Sequence, residues 1–323
     1  MSVRHLSQTF AAPVWPWRKS EGVIALDDVS FAIARGEVVG LVGESGSGKT
    51  TVGRIIVRLQ EPTSGQVIYQ GRNISTLKRS ELAGYRRAVQ MVFQNPFASL
   101  NPRRRIGDLV RDPLEIHRIG DPTTRNQRVR EMFRLVGLAD HLVDRYPHEL
   151  SSGQRQRVGI ARSLAAAPSL IVADEPVSAL DVSVQAQVLN LFVRLRAELD
   201  LTVLFISHDL RVVRFLCDRI IVLYLGRVME AGSRDDLLTR PTHPYTKALI
   251  ASVPSSRPGE VITGDIAQMP PNRAGCVFAP RCRLRAALND PQRCVTERPE
   301  LRLLPDDRTV ACHFAELGSG SDS

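Results

Sequence analysis

Short runs of apolar residues recur along the chain, and each one ends where polar or glycine residues begin. The runs are residues 38–42, 89–93, 170–173 and 201–206. Runs this short, without a regular polar face, are typical of strands that are buried on both sides of a parallel sheet. After the first run, Ile55, Ile56 and Leu59 recur at the spacing of a buried helix face. The alternation of strand and helix patterns predicts an α/β fold built on a parallel sheet.

A glycine-rich segment, residues 43–50, lies between the first predicted strand and the first predicted helix. Glycines allow successive backbone N–H groups to point inward, where they can surround phosphate oxygens at the start of a helix. Lys49 then reaches the β and γ phosphates, and the Thr50 hydroxyl is an oxygen ligand for Mg²⁺. The chain has 43 basic residues and almost all are arginine, but it keeps a lysine here, where a guanidinium would be too broad. The segment therefore predicts a site for nucleotide phosphates.

Polar residues follow the other three runs: Gln94, Asp174, Glu175 and His208. The carboxyl ends of parallel strands meet at one edge of a sheet, which is where ligands of open α/β sheets bind. We expect Asp174 to hold Mg²⁺ and Glu175 to act as the general base that polarises the attacking water. His208 is expected at the same edge, within reach of the γ phosphate, whereas Gln94 carries little information by itself.

Length and charge narrow the class of protein. The 323 residues are enough for one large domain and a smaller unit. The chain carries a net charge of +9. No apolar stretch reaches the roughly 18 residues of a membrane span, and the amino terminus has no apolar run of secretory type, so we expect a cytosolic protein. The basic residues are spread along the chain and are not concentrated in one segment. This distribution favours a diffuse charged surface, which an anionic membrane leaflet would attract, over a nucleic-acid binding site.

Five cysteines divide into one isolated residue and a group of four. Cys217 lies in an apolar segment and is expected to be a buried core thiol. The group of four follows a proline- and serine-rich segment, residues 253–259, which predicts a domain boundary. Its members are Cys276, Cys282, Cys294 and Cys312. Their spacing matches no short zinc or ferredoxin motif, yet four thiolates can hold a [4Fe-4S] cluster or Zn²⁺, and packed thiols without a metal are the third alternative.

The order of these motifs resembles that of the ATP-binding cassette (ABC) ATPases over nearly the whole chain. Residues 43–50 resemble the Walker A loop, Gln94 the Q-loop, residues 151–154 the signature, residues 174–175 the Walker B pair, residues 178–181 the D-loop and His208 the switch histidine. The resemblance implies a catalytic set of Glu175, His208 and Gln94, with Gln94 joining Thr50 and Asp174 as a magnesium ligand. It implies ATP contacts from Phe10, Gly43, Ser45, Gly46, Gly48, Lys49, Thr50, Thr51, Asp174, Ser151, Gly153, Gln154 and Asp181. Phe10 is the candidate aromatic that stacks on adenine, with Trp15 and Trp17 as alternatives.

Two segments carry a finer resemblance to the oligopeptide and dipeptide importers, residues 95–102 and 241–249, and residues 275–282 are similar to the extension of the ATPase subunits of these importers. The resemblance implies an ABC nucleotide-binding domain over residues 1–252 and a cysteine-containing extension over residues 253–323. The domain would contain a RecA-like sheet, an antiparallel β subdomain near the amino terminus and a helical subdomain at about residues 95–163. Among the three alternatives for the cysteines, the resemblance favours an iron–sulfur cluster.

The function implied by the resemblance is that of the ATP-hydrolysing subunit of a peptide importer at the cytoplasmic face of the cell membrane. One phosphate loop and one signature per chain require a second ATPase subunit, identical or different, to complete two composite sites. Two transmembrane permease subunits and an extracytoplasmic solute-binding protein are the other expected partners, and nucleic acid is not. The alternatives are a soluble ABC-type ATPase acting on nucleic acid and an adaptor that binds ATP without hydrolysis, which Glu175 and His208 oppose.

The signature departs from the family pattern at one residue. Ser152 occupies a place where these proteins usually have glycine. If the backbone there needed a positive φ, serine would cost on the order of 1 kcal/mol relative to glycine. We therefore expect Ser152 to lower the efficiency of the composite site to which the signature belongs.

Overall fold

The computed structural model describes residues 1–11, 22–252 and 274–318. Its strands are β1 (Ser2–Phe10), β2 (Val23–Ala32), β3 (Val38–Val42), β4 (Ser64–Tyr69), β5 (Arg72–Asn73), β6 (Val89–Val92), β7 (Leu170–Asp174), β8 (Thr202–Ser207), β9 (Arg219–Tyr224), β10 (Arg227–Ser233), β11 (Arg302–Leu303) and β12 (Thr309–Val310). Its α-helices are α1 (Lys49–Ile56), α2 (Arg79–Ala88), α3 (Pro96–Ser99), α4 (Ile106–Ile116), α5 (Pro122–Val136), α6 (Ser152–Ala165), α7 (Val182–Leu199), α8 (Leu210–Leu216), α9 (Arg234–Thr239), α10 (Pro244–Ala251), α11 (Arg283–Ala287), α12 (Arg293–Thr296) and α13 (Ala315–Gly318). Trp15, Trp17 and the predicted boundary at residues 253–259 lie outside the described residues.

The described strands form two sheets. The larger has the order β11-β12-β10-β9-β3-β8-β7-β6. Its five neighbouring strands β9, β3, β8, β7 and β6 pair in parallel. The smaller sheet, β2-β1-β4-β5, is antiparallel. The predicted α/β fold with a parallel core and an antiparallel portion near the amino terminus is confirmed.

The strands of the parallel core are mostly apolar because side chains pack on both faces of the sheet. Along β8, Val203 and Phe205 belong to the hydrophobic core on one face. Leu204 and Ile206 belong to the core on the other face. Two-sided burial removes the polar alternation that a half-exposed strand would show, so these strands read as continuous apolar runs.

The helix after the phosphate loop is shorter than its apolar pattern predicts. Helix α1 ends at Ile56, and Arg58 takes a left-handed conformation with a φ of 60°. A residue with positive φ cannot continue a right-handed helix. Leu59 consequently lies beyond the helix and is exposed, so its assignment to the buried face was wrong, whereas Ile55 and Ile56 are buried as predicted.

Between β6 and β7 the described chain is helical, with α3, α4, α5 and α6 joined by turns and short 3₁₀ helices at Asp140–Asp144 and Pro147–Glu149. The carboxyl-terminal segment follows α10 and adds β11 and β12 to the β10 edge of the larger sheet. Among the described residues, none of the helices is both long enough and apolar enough to cross a membrane.

Candidate active site

Residues 43–50 form a loop between β3 and α1, and we refer to them as the phosphate loop. Its conformation requires glycine at two positions. Gly43 has a φ of 153°, and a Cβ there would lie 2.0 Å from the carbonyl oxygen of Leu223. Gly48 has a φ of 103°, and a Cβ there would lie 2.5 Å from the carbonyl oxygen of Ala25. The glycines therefore let the loop pack closely against β9 and β2 at the start of α1, where helix N–H groups favour anions.

Lys49 is buried, and its ammonium group lies inside the phosphate loop. Its Nζ donates to the carbonyl oxygens of Gly43 and Glu44, each at 2.8 Å, and to Ser47 Oγ at 3.3 Å. Burial lowers the pKa of Lys49, and the nearby carboxylates, Glu175 first among them, oppose that shift. The ammonium is therefore a desolvated cation held where the loop would surround an anion. Ser45 and Gly46 form the exposed rim of the loop.

The oxygen atoms expected to hold Mg²⁺ are adjacent. Thr50 Oγ1 donates to Asp174 Oδ1 at 3.1 Å. Asp174 ends β7 and is buried, and burial raises its pKa, against the opposing hydrogen bond from Thr50. A hydroxyl beside a buried carboxylate provides hard oxygen ligands, so this pair fits a magnesium ion by its chemistry. Thr51 is the next residue of α1 and is partly buried.

Glu175 connects the three predicted catalytic side chains. Gln94 Nε2 donates to Glu175 Oε2 at 2.9 Å, and His208 Nδ1 lies 3.2 Å from Glu175 Oε1. Each carboxylate oxygen therefore has its own partner, which fixes the direction of the carboxylate. The backbone of Glu175 is left-handed, with a φ of 44°, and its N–H donates to the Ile206 carbonyl at 2.9 Å. A non-glycine residue in this conformation is strained, and such strain is concentrated at functional sites.

The signature residues begin helix α6. Ser151 is the N-cap: its hydroxyl accepts from the Gln154 N–H at 3.3 Å, and the Gln154 side chain accepts from the Ser151 N–H at 3.0 Å. Gly153 permits a close approach to α7, since a Cβ there would lie 2.4 Å from Val184 Cγ1. Asp181 is the N-cap residue of α7, and its carbonyl accepts from the N–H groups of the first helical turn.

The structure shows that Ser152 lacks the positive φ on which the expected loss of efficiency at the composite site depended. This residue is the first of α6 and does not have a positive φ. Serine therefore adopts the required backbone conformation without the cost that was expected for a left-handed position. The expectation that backbone strain at Ser152 impairs the composite site was wrong.

Phe10 is the last residue of β1, and its side chain is partly exposed. It pairs with Val23, two residues before Ala25, whose carbonyl lies against Gly48 of the phosphate loop. Phe10 therefore lies near the start of α1 with part of its ring free to stack. Its role toward adenine stays a prediction.

The four late cysteines, Cys276, Cys282, Cys294 and Cys312, all line one small cavity of about 20 Å³. Burial raises the pKa of Cys276 to about 12 and that of Cys312 to about 11, with smaller contributions from the neighbouring cysteines. Among the described residues, however, no three His, Cys, Asp or Glu side chains are placed to hold a metal ion. The cavity has room for about one water molecule, so a larger centre would require the thiols to move apart. Cys217 is fully buried elsewhere, as predicted.

Two residues that the site analysis of the sequence missed contact the phosphate loop at Glu44. The N–H of Glu44 donates to the Tyr245 hydroxyl at 3.0 Å, and its carboxylate accepts two hydrogen bonds from Arg281. Both residues lie in segments that resemble the importers or their ATPase subunits, residues 241–249 and 275–282. The signal was therefore present in the sequence as a motif without an assigned role.

Comparison with protein families identifies two matching regions. Residues 26–178 match the model described as ABC transporter. Residues 229–287 match the model described as oligopeptide/dipeptide transporter, C-terminal region. The first match includes the phosphate loop and the β7 carboxylates, and the second includes Tyr245 and Arg281.

Similar proteins extend the match over nearly the whole chain. A putative peptide import ATP-binding protein of Brucella ovis is 49% identical over 317 residues, covering 97% of this chain and 96% of that protein. The oligopeptide transport ATP-binding protein AppF of Bacillus subtilis is 46% identical, covering 92% and 91%. Among solved structures, the dimeric post-hydrolysis state of the ATP-binding cassette MJ0796 bound to ADP and Pi matches with a TM-score of 0.64 and 33% identity. It covers 72% of this chain and 98% of that one.

Proposed function

This chain belongs to the ABC transporter ATPases, in their oligopeptide and dipeptide branch, and from that premise we propose that it powers the import of peptides by hydrolysing ATP. The observation that carries the proposal is the arrangement of Gln94 and His208 on the two oxygens of Glu175, beside the phosphate loop. Relatives named for peptide import, similar over nearly the whole chain, support the substrate class.

The phosphate loop is the proposed ATP site. Its backbone N–H groups and the helix α1 amino terminus favour the phosphates, and the buried ammonium of Lys49 exchanges bonds to loop carbonyls for bonds to the β and γ phosphates. Thr50 and Asp174 would hold Mg²⁺, with Gln94 as a further oxygen ligand, and the ion would neutralise charge on the phosphates. Phe10 is proposed to stack on the adenine ring.

Glu175 is the proposed general base for hydrolysis. A carboxylate that Gln94 and His208 hold in one direction can accept a proton from water without first reorganising. His208 exposes about half of its side chain, 56%, which leaves it able to contact the γ phosphate as well as Glu175. The strained backbone of Glu175 keeps the carboxylate at the strand end, next to Asp174.

Two copies of an ABC cassette are proposed to form the working unit. Ser151, Gly153 and Gln154 lie at the start of α6, where helix N–H groups can face a phosphate bound to the opposite subunit. Asp181 and its neighbours would meet the partner at the same interface. A second ATPase subunit, two membrane permeases and an extracytoplasmic solute-binding protein complete the proposed importer, with this chain bound to the cytoplasmic face of the membrane.

Copurification from membranes tests the importer proposal. The chain should be recovered with two polytopic membrane proteins and a second cassette, and the reconstituted complex should hydrolyse ATP faster when a peptide-loaded binding protein is added. The Glu175→Gln variant is the control, since it should assemble equally well but lose the stimulated activity. Recovery without membrane proteins, together with ATPase activity stimulated by nucleic acid, would show that the importer assignment is wrong.

The four late cysteines are proposed to hold a [4Fe-4S] cluster. Convergence of all four thiols on one cavity supports a shared centre, and the thiols would move apart to admit a cluster. A single Zn²⁺ with bonds of about 2.3 Å would need the sulfurs closer together than a cluster does. At neutral pH the raised pKa values leave metal-free thiols protonated, so a bound centre would be needed to stabilise the thiolates. Such a centre would cross-link an extension whose described residues form only short helices and strands.

Anaerobic purification tests the cluster. The protein should contain iron and acid-labile sulfide and show a broad visible absorption band, which Cys276→Ser combined with Cys282→Ser should abolish. Cys217→Ala, which removes a buried thiol far from the cavity, should leave the band unchanged. Stoichiometric zinc without iron would support the zinc alternative, and protein without any metal would show that the thiols are simply packed.

A further inference from the structure

Glu44 is the second residue of the phosphate loop and receives contacts from two distant segments. Its N–H donates to the hydroxyl oxygen of Tyr245 in α10 at 3.0 Å. Its side chain forms a bidentate pair with Arg281, with Nη1 to Oε2 at 2.9 Å and Nη2 to Oε1 at 3.1 Å. Its carbonyl oxygen accepts from Lys49 Nζ. Glu44 therefore connects the carboxyl-terminal segment directly to the lysine of the phosphate site.

The pair between Arg281 and Glu44 is shielded from water. The Arg281 side chain is 7% exposed and the Glu44 side chain 17%. Arg281 Nη1 also donates to the Tyr224 hydroxyl at 3.2 Å, and the guanidinium carbon lies 5.8 Å from the centre of the Tyr224 ring. A fork of parallel hydrogen bonds in such surroundings fixes orientation more strongly than an exposed ion pair does.

An aromatic cluster holds the two contacts in place. Tyr224 lies 4.5 Å from Tyr245, centre to centre, and Phe278 lies 5.4 Å and 5.3 Å from these two rings. Phe278 and Arg281 both lie between the first two late cysteines, so the same short segment supplies the aromatic contact and the ion pair. Tyr224 ends β9, directly after Leu223, whose carbonyl presses against Gly43.

We propose that Tyr245 and Arg281 are positioning residues for the phosphate loop. By holding Glu44 from its N–H and its carboxylate, they place the carbonyl that binds Lys49 and keep the loop in its phosphate-binding shape. The extension, through Arg281, and helix α10, through Tyr245, thereby contribute to the affinity of this chain for ATP. The inference rests on the proposed nucleotide function, since ATP affinity is the property that it explains.

Calorimetric titration of the full-length chain with ATP and Mg²⁺ tests this role. Arg281→Gln should weaken ATP binding about tenfold, Arg281→Lys less, because it keeps the charge but loses the fork, and Tyr245→Phe about threefold. Arg298→Gln is the matched control: it removes another pair between the extension and the main domain, to Asp27 and Asp28, away from Glu44. It should change affinity less than twofold. In the assembled complex the effect should appear as a raised KM for ATP with kcat retained.

The outcomes separate this proposal from the proposed function. If the unaltered chain binds no ATP, the nucleotide function itself fails. If it binds ATP but Arg281→Gln and Tyr245→Phe bind equally well, the positioning role is wrong. Equal weakening by Arg298→Gln would also contradict it, because docking of the extension would then suffice. Should Arg281→Gln not fold, as judged by circular dichroism, Arg281→Lys and Tyr245→Phe decide the question.

Discussion

The nucleotide site and the carboxyl-terminal extension are built in different ways. Each active side chain of the nucleotide site lies within a few residues of a buried parallel strand, so the sheet alone brings these side chains together. The described extension has strands of two residues and short helices, and it depends on contacts over long sequence separations. Arg281 binds Glu44 across 237 positions.

This difference predicts different consequences of mutation. The strands beneath the nucleotide site are stabilised by two-sided apolar burial, so a polar change at a strand end should alter chemistry and leave stability intact. The described residues of the extension supply few buried apolar side chains and use buried polar groups such as Arg281, so a polar change there should alter stability first. Four predictions test this contrast, in order of decreasing effect.

Glu175→Gln should reduce steady-state ATP hydrolysis by the assembled complex at least about a hundredfold, because it removes the proton acceptor while keeping the shape of the side chain. ATP binding and the melting temperature should be retained, with the ATP-bound dimer accumulating in the closed state. Activity assays together with gel filtration in ATP measure these properties.

A control for Glu175→Gln is Glu198→Gln, which changes a half-exposed carboxylate on α7 and should leave hydrolysis unchanged. Turnover of Glu175→Gln near the normal rate would refute its role as general base, provided that the partner's site is also disabled in the assay.

Lys49→Ala should weaken ATP binding by roughly ten- to a hundredfold, because it removes the buried cation from the phosphate loop. Direct titration measures the affinity, and thermal melting should show a smaller change. Lys78→Ala removes one of the few other lysines from an exposed position and should bind ATP normally. Unchanged affinity of Lys49→Ala would count decisively against the phosphate loop.

The contrast also explains how much the sequence could predict. The run at residues 38–42 matches β3, and residues 170–173 lie in β7, because two-sided burial leaves an unbroken apolar pattern. Parallel pairing then places Asp174, Glu175 and His208 at one edge without further information. The contacts of Glu175 with Gln94 and His208 follow from that placement, but its φ of 44° does not.

Other features are not recorded in the apolar pattern of the sequence. The end of α1 before Leu59 follows from the conformation of Arg58. The conformation of Ser152 follows from its place in the first turn of α6. The contacts of Tyr245 and Arg281 with Glu44 join segments hundreds of positions apart, so the sequence indicated that these segments mattered without indicating what they touch.

His243, which precedes α10 and packs against Phe278 of the extension, should make the stability of this region depend on pH. It is fully buried, and burial lowers its pKa from 6.5 to about 3. The unfolded chain therefore binds the proton first, so this contribution to stability is complete above about pH 6.5 and is lost as the pH falls toward 3. The loss should approach about 1.4 kcal/mol per pH unit. Denaturant unfolding at neutral pH and at about pH 5 measures it.

His243→Asn isolates this effect from the other buried groups. The asparagine oxygen can still accept the hydrogen bond from the Tyr245 N–H, but it does not titrate. Glu230, which accepts from the His243 N–H, has a pKa that burial raises, so its contribution has the opposite sign and remains in both proteins. The variant should be less stable at neutral pH but lose stability less steeply on acidification. An equal slope in both proteins would rule out His243 as the source.

Ser152→Gly should have the smallest effect, because Ser152 is already in an ordinary helical conformation and no strain is relieved. Glycine and serine differ by roughly 0.5 kcal/mol in helix propensity, so turnover by the assembled complex should change by about threefold or less. The affinity of the chain's own phosphate loop should not change, because Ser152 lies in the signature rather than in the loop. Measuring ATP affinity in the monomer and hydrolysis in the complex separates the two. A tenfold gain in hydrolysis would show that the serine side chain obstructs the composite site, and an altered affinity in the monomer would contradict the assignment of the signature to the partner's nucleotide.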